Sequence, residues 1–287
     1  MANAVHKADR SSRASPGLSR KARGTVGVPF AETPAGGAVK SVWRAFKILE
    51  SFETGGMMGV TELSRKLDFP KSSVYEIVTT LVGQGILEKD PERNRYRLGL
   101  RLFELGNRAR DSLEIRRVAS PLLKTLNREL DETVHLTVLE SGEVLYVECF
   151  ESTKRLRTYS VIGVRAPLHC TAVGKAILAF LGRDEIEEII RNKGLPGFTE
   201  RTITDRGALL AELDRIVASG YAVDNMEHEE GARCVGSPIR NGIGRVFASI
   251  SVSGPSQRIT EQRIPEIGKL VMAAAAEISR RLGYGSR

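Results

Sequence analysis

The chain has 287 residues, room for about two domains at roughly 150 residues each, with 41% hydrophobic and 27% charged residues and a net charge of +8. No run approaches the ~18 uninterrupted apolar residues that a membrane-spanning helix requires. The three cysteines (Cys149, Cys170, Cys234) are an odd count without CxxC spacing, which excludes a disulfide scaffold and a zinc ribbon and fits a reducing, cytoplasmic setting.

The excess charge is +4 in residues 1–38, +3 in 39–112 and +1 in 113–287, as expected if the N-terminal third meets a polyanion. Residues 1–38 hold Arg, Ser, Gly, Ala and Pro with few large apolar groups, too little to offset ordering entropy, and read as a disordered basic tail. They lack the continuous apolar core of a secretory signal.

Order begins near Val39. Val42, Phe46, Leu49 and Phe52 recur at helical spacing, with Ser41 placed to cap the start. After a glycine break, Leu63 and Leu67 mark a short second helix. Asp68-Phe69-Pro70 forms a turn, with Pro70 suited to the first position of a third helix running from Lys71 to about Val82. Val74, Ile77, Val78 and Leu81 form the inner face of that helix. Extended pieces at 86–89 and 95–98 flank DPERN, a hairpin signal, and a further helix runs from Leu100 to Ser112. This order predicts a winged helix-turn-helix over 39–99 and a linker helix over 100–112.

The remainder, 113–287, reads as an α+β domain. A helix is expected over 113–130, bent at Pro121, then strands at 133–139 and 143–150 hinged at Ser141-Gly142, and another at 155–162. Helices are expected near 171–181, 184–192 and 205–219. Strands follow at 221–224, 233–240 and 245–253, the last two joined by a tight Asn241-Gly242 turn, before a final helix. The expected architecture is an antiparallel sheet with flanking helices.

Three stretches offer chemistry. The exposed side of the third helix presents Lys71, Ser72, Ser73, Tyr75, Glu76 and Thr79, groups able to meet phosphates and base edges in a major groove. Arg44 in the first helix and Arg93 and Arg95 at the wing supply cations. In LHCTAVGKAILAF, Thr171 can cap a helix whose first amides, at Ala172, Val173 and Gly174, suit an anion or simply begin an ordinary capped helix. In RVFASISVSGP, Ser249, Ser251 and Ser253 share one face, which fits either a polar pocket or the solvent side of a half-buried sheet. His169, His228, Cys170 and Cys234 raise an enzyme or DNA-independent sensor as the alternative. Yet no HExxH, GxSxG, P-loop or GxGxxG pattern occurs, and neither cofactor nor metal is expected.

Together SVWRAFKILESF, TELSRKLDFPKSSVYEIVTTLVGQGIL, the wing ending in YRLG, LHCTAVGKAILA and GYAVDNMEHEEGARCVGSPIRNGIGRVFASISVSGP resemble the IclR family of bacterial transcriptional regulators across residues 39–283. The resemblance implies a C-terminal domain similar to the GAF/profilin-like fold that binds small organic acids. It also implies dimers formed through the N-terminal domain and linker helix, often paired into tetramers, on palindromic DNA operators, repressing or activating catabolic genes. Carried over by matching segments, the effector carboxylate meets Ala172, Val173, Asp224, Cys234, Ser251 and Ser253, with Thr158 near by. Two departures stand out. Asp68 replaces the common turn glycine, and Asp tolerates left-handed geometry; Glu76 stands where Arg is frequent, which changes the bases read. Arg155, Thr158 and Ala166 match positions often apolar in relatives, implying a more polar effector such as a sugar acid or a hydroxylated aromatic acid.

Overall fold

The computed structural model describes residues 39–52, 56–158 and 162–285. The segment 1–38, expected to be a disordered tail, lies outside the described residues.

The N-terminal unit contains α1 (Lys40–Glu50), α2 (Val60–Leu67), α3 (Lys71–Gly83), β1 (Leu87–Asp90) and β2 (Arg95–Leu98), followed by α4 (Leu100–Asp111). Its core is Ile48, Phe52, Leu63, Val74, Val78, Leu87 and Tyr96. The apolar stripe expected on α1 divides. Phe52 is buried and Leu49 packs on the core, but Val42 and Phe46 are 53% and 61% exposed. Phe46 stands roughly 160° around the helix from the buried Ile48, so the two cannot share a core. Ser41 does not cap α1; Val39 is the N-cap and makes no side-chain bond there. Helix α4 buries none of its residues, and its Leu100 and Phe103 are more exposed than Phe46.

The turn between α2 and α3 places Asp68 at φ 53°, ψ 43°, the left-handed geometry that aspartate accepts. Pro70 is the N-cap of α3 rather than its first helical residue, so Lys71 opens the helix. In the wing, Asp90 Oδ1 accepts the Glu92 and Arg93 amides, both at 3.0 Å, and Asn94 takes φ 51°. Met58 and Tyr96 exchange two backbone bonds of 2.9 Å, tying the wing to the segment before α2.

The C-terminal unit opens with α5 (Glu114–Leu130), which accommodates Pro121 within the helix. It continues with β3 (Thr133–Glu140), β4 (Glu143–Phe150), β5 (Arg165–Ala166), α6 (Ala172–Leu178), α7 (Arg183–Lys193) and α8 (Arg206–Ser219). The chain then forms β6 (Ala222–Asn225), β7 (Ala232–Arg240), β8 (Val246–Pro255), a 3-10 turn and α9 (Ile264–Arg281). The sheet is antiparallel with strand order β5-β4-β3-β8-β7-β6. One face packs on α5 and α9 through Leu123, Leu126, Ile250, Val252, Val271 and their neighbours. A second core joins α6, α7 and α8 through Val173, Ile177, Ile186, Leu209 and Leu213.

Three local expectations are corrected. No strand forms over the described part of 155–162. There the preceding residues are drawn onto Asp131, whose carboxylate accepts from the Thr153 amide and hydroxyl, so the chain turns away from the sheet edge. The reversal after β7 is not a two-residue Asn-Gly turn. Asn241 donates to the Arg245 carbonyl, Gly244 donates to the Asn241 carbonyl, and Gly244 alone takes positive φ, at 84°. That is a three-residue loop with a left-handed glycine, the alternative way of matching strand twist. Helix α6 ends at Leu178, short of the expected 181.

Candidate functional site

The polar side chains of the sheet form rows across strands. Because side chains alternate along each strand, partners in register share a face. One row runs Asp224, Cys234, Ser253, Thr133; the next Gly236, Ser251, His135, Cys149; a third Ser249, Thr137, Tyr146. Ser249, Ser251 and Ser253 are all within 4% of full burial, which removes the solvent-face reading of this strand. The hydroxyl face lies beneath α6: Ser249 Oγ donates to the Val173 carbonyl at 2.8 Å and lies 2.8 Å from Thr137 Oγ1.

Two glycines set the approach of α6. A Cβ on Gly236 would lie 2.9 Å from the Ala172 carbonyl, so only glycine lets the helix start touch β7. Gly174 makes room for the Leu168 backbone, 2.5 Å from its virtual Cβ, and its amide donates to Thr171 Oγ1. Gly174 therefore does not offer a bare amide to a ligand, contrary to the sequence expectation. The Ala172 and Val173 amides, the first two of the helix, have no hydrogen bond among the described residues.

Asp224 is 4% exposed, and its Oδ1 accepts from the Glu227 amide at 2.7 Å. Burial pushes its pKa up to about 7, repulsion from Glu227 adds to this, and the Glu227 amide and Lys175 oppose it. Lys175 is fully buried and joins Glu227 at 2.6 Å and Glu212 at 3.1 Å. Cys234 Sγ donates to Ser253 Oγ at 3.0 Å, and Thr158 Oγ1 donates to the Ser253 carbonyl at 3.3 Å.

Two residues not singled out from the sequence belong to the same face. His135 is buried, its Nδ1 lies 3.4 Å from Ser251 Oγ, and its Nε2 has no partner among the described residues. Burial lowers its pKa to about 4. The Tyr146 ring meets it edge-on, 5.2 Å between centroids at 86°. The signal was present in TVHLTVLE, where Thr133, His135 and Thr137 alternate with Val134, Leu136 and Val138 as the serines do in β8. Two other expectations fail here. Arg155 is exposed on the loop, and Ala166 is buried in the second core, so neither brings polarity to this face.

Among the described residues, Cys170 and Cys234 are not poised as nucleophiles. Burial pushes the thiols of Cys170 and Cys234 up, away from thiolate formation. His169 engages the Pro196 carbonyl through Nε2, and the His228 ring packs on Phe198. No metal-ligating cluster occurs among the described residues.

On the N-terminal unit, Lys71, Ser72, Tyr75, Glu76 and Thr79 stand exposed along α3, beside a cleft closed by the wing. Ser73 is half-buried and accepts from Arg44 Nη1 at 3.4 Å, while the Arg44 guanidinium lies over Phe69, 5.1 Å from the ring centre. Arg93 is exposed at the wing tip. Arg95 donates twice to the Met57 carbonyl, at 3.0 and 2.7 Å, and to Glu62 at 2.6 Å, pinning the wing to α2.

A winged helix-turn-helix carried by a helix to a separate α+β domain is the build of a DNA-binding transcriptional regulator. The profile of the IclR helix-turn-helix domain matches residues 41–91, and that of the bacterial transcriptional regulator IclR C-terminal domain matches 107–280. The HTH-type transcriptional regulator KdgR of Escherichia coli K12 is 39% identical over 247 residues, 86% of this chain and 94% of the relative. The Thermotoga maritima IclR crystal structure covers 85% of this chain and 99% of its own at 34% identity, with TM-score 0.70. An IclR homologue from Microbacterium hydrocarbonoxydans, crystallised with 4-hydroxybenzoate, aligns at TM-score 0.73 and 29% identity over 84% of this chain and 98% of its own. The chain belongs to the IclR family of bacterial transcriptional regulators. It is a DNA-binding regulator and not an enzyme, and no described helix is long and apolar enough to cross a membrane.

Proposed function

We propose that the protein, acting in the cytoplasm, controls a catabolic operon in response to a small organic acid bound beneath α6. The observation that supports this best is the buried polar face itself. Asp224, Cys234 and Ser253 stand in register, with Ser251 one row on opposite Gly236, where α6 begins, and the Ala172 and Val173 amides have no partner among the described residues. Unclaimed helix-start amides suit a carboxylate. Asp224, titrating near neutrality, can meet that carboxylate as a neutral acid donating a hydrogen bond.

Lys71, Ser72, Tyr75, Glu76 and Thr79 are the groove-facing set, with Arg93 on the phosphates. Arg44 and Ser73 support α3 from behind, and Arg95 positions the wing. Val42 and Phe46 of α1, with Leu100 and Phe103 of α4, are large apolar groups left exposed; a second copy of the chain covers them in a homodimer, which can pair again into a tetramer. Two winged units related by a two-fold axis favour a palindromic operator. The effector acts by binding one arrangement of the oligomer better, and shifts operator affinity only by that difference.

The test is fluorescence anisotropy on the upstream intergenic DNA, with excess unrelated duplex, at two salt concentrations. Salt-sensitive binding that survives competitor and changes on adding an organic acid supports the reading. Specific binding indifferent to every acid would refute the effector half.

A further inference from the structure

We propose that His135 reads a second oxygen on the effector, so that the ligand is a small organic acid carrying a hydroxyl or oxo group away from its carboxylate. This rests on the acid-binding reading above and adds a specificity residue to it. An imidazole nitrogen that is buried without a partner gives up its hydrogen bond to water and gains none in return, and His135 Nε2 is in that condition among the described residues. The nitrogen is held in place. Register puts His135 opposite Ser251 on one side and Cys149 on the other. Ser251 Oγ engages Nδ1, and the edge-on Tyr146 ring fixes the imidazole plane.

The position suits a group remote from the carboxylate. The Ala172 and Val173 amides sit over β7, where Gly236 admits them. His135 lies on β3, two strands away in the order β3-β8-β7, about 10 Å between backbones at ~4.8 Å per strand. Both tautomers recognise oxygen. If Ser251 donates to Nδ1, Nε2–H donates to an oxo or phenolic oxygen; if Nδ1–H donates to Ser251, Nε2 accepts from a hydroxyl. Plain apolar acids leave the nitrogen orphaned, the condition under which a site discriminates most strongly against a missing polar group.

Isothermal titration of the full chain with two matched pairs, 4-hydroxybenzoate against benzoate and 4-hydroxybutyrate against butyrate, tests this. The wild type is expected to bind at least one hydroxylated member tenfold or more tighter than its partner. His135→Leu should abolish that ratio while keeping the affinity for the plain acid, and His135→Gln, whose amide reaches the Nε2 position, should restore part of it. A ratio near one in the wild type, or a ratio unchanged in His135→Leu, overturns the assignment while leaving acid binding intact. Binding of no acid by the wild type overturns the acid-sensing reading and this one with it, an outcome told apart by the missing heat. Should the leucine variant fail to fold, nitrogen NMR of the wild type decides: with four histidines in the chain, the His135 Nε2 resonance must move on adding the hydroxylated acid and not the plain one.

Discussion

Burial of Asp224 and His135 on one sheet face predicts two opposed dependences of stability on pH. Asp224 has its pKa raised from 3.8 to about 7 by burial. Between those values the unfolded chain has lost the proton that the folded chain keeps, so stability falls as pH rises, by on the order of 4 kcal/mol in all at 1.36 kcal/mol per unit. His135 has its pKa lowered from 6.5 to about 4 by burial. There the unfolded chain holds a proton that the folded chain excludes, so stability rises with pH across that window, by on the order of 3 kcal/mol. The two slopes nearly cancel between pH 4 and 6.5. Asp224→Asn keeps the acceptor for the Glu227 amide and removes the titration, so its stability relative to wild type should increase steadily from pH 4 to 7 and then level off. His135→Gln should show the reverse, gaining on wild type as pH falls from 6.5 to 4. Urea unfolding followed by circular dichroism measures both, since the single tryptophan, Trp43, lies in the N-terminal unit. Taking each variant minus wild type removes the titration of groups that are not coupled to the replaced one. Parallel profiles for all three proteins would refute the argument that burial controls these groups.

Three further outcomes are expected. Gly236→Ala drives a methyl against the Ala172 backbone and should cost about 1–3 kcal/mol with weakened acid binding, read by unfolding and calorimetry. Arg93→Ala should lower DNA affinity and reduce the salt slope by about one, whereas Arg95→Ala should also loosen the wing, seen as faster amide exchange at Tyr96. Phe46→Glu with Phe103→Glu should shift the chain towards monomer in sedimentation and weaken operator binding, while leaving the circular dichroism spectrum unchanged.

Periodicity carried most of the architecture because each element has one dominant neighbour. Val74 and Val78 mark the inner face of α3, and the alternation in β8 marks its two sides. The failures have a common origin in contacts distant in sequence. Val42 and Phe46 obey helical spacing yet face away from the chain's own core, and spacing alone cannot say which body covers an apolar stripe. The fate of residues 155–158 was set by Asp131, more than twenty positions earlier, and the partners of Arg95 by Met57 and Glu62. Asn241-Gly242 looked like a tight turn, but Gly244 supplied a better left-handed residue two positions on. On the polar face, the helix start and the serine row were readable from residue types. His135 and Tyr146 carry no motif, because β3 and β4 have the pattern of ordinary strands, and only the alternation of Thr133, His135 and Thr137 marks the polar face.

The polar face also separates groups that hold the fold from groups that do not. Thr137 and Ser249 form a ladder under the Val173 carbonyl, and Thr171 closes the first turn of α6. Replacing any of these disturbs the helix. Nε2 of His135 engages no other group among the described residues, so under the proposed reading its substitution changes what an acid meets while the hydroxyl ladder under α6 keeps its own partners. Descendants of such a gene can therefore acquire a new chemical signal by few substitutions while keeping the same reader of DNA, provided the hydroxyl ladder beneath α6 is inherited intact.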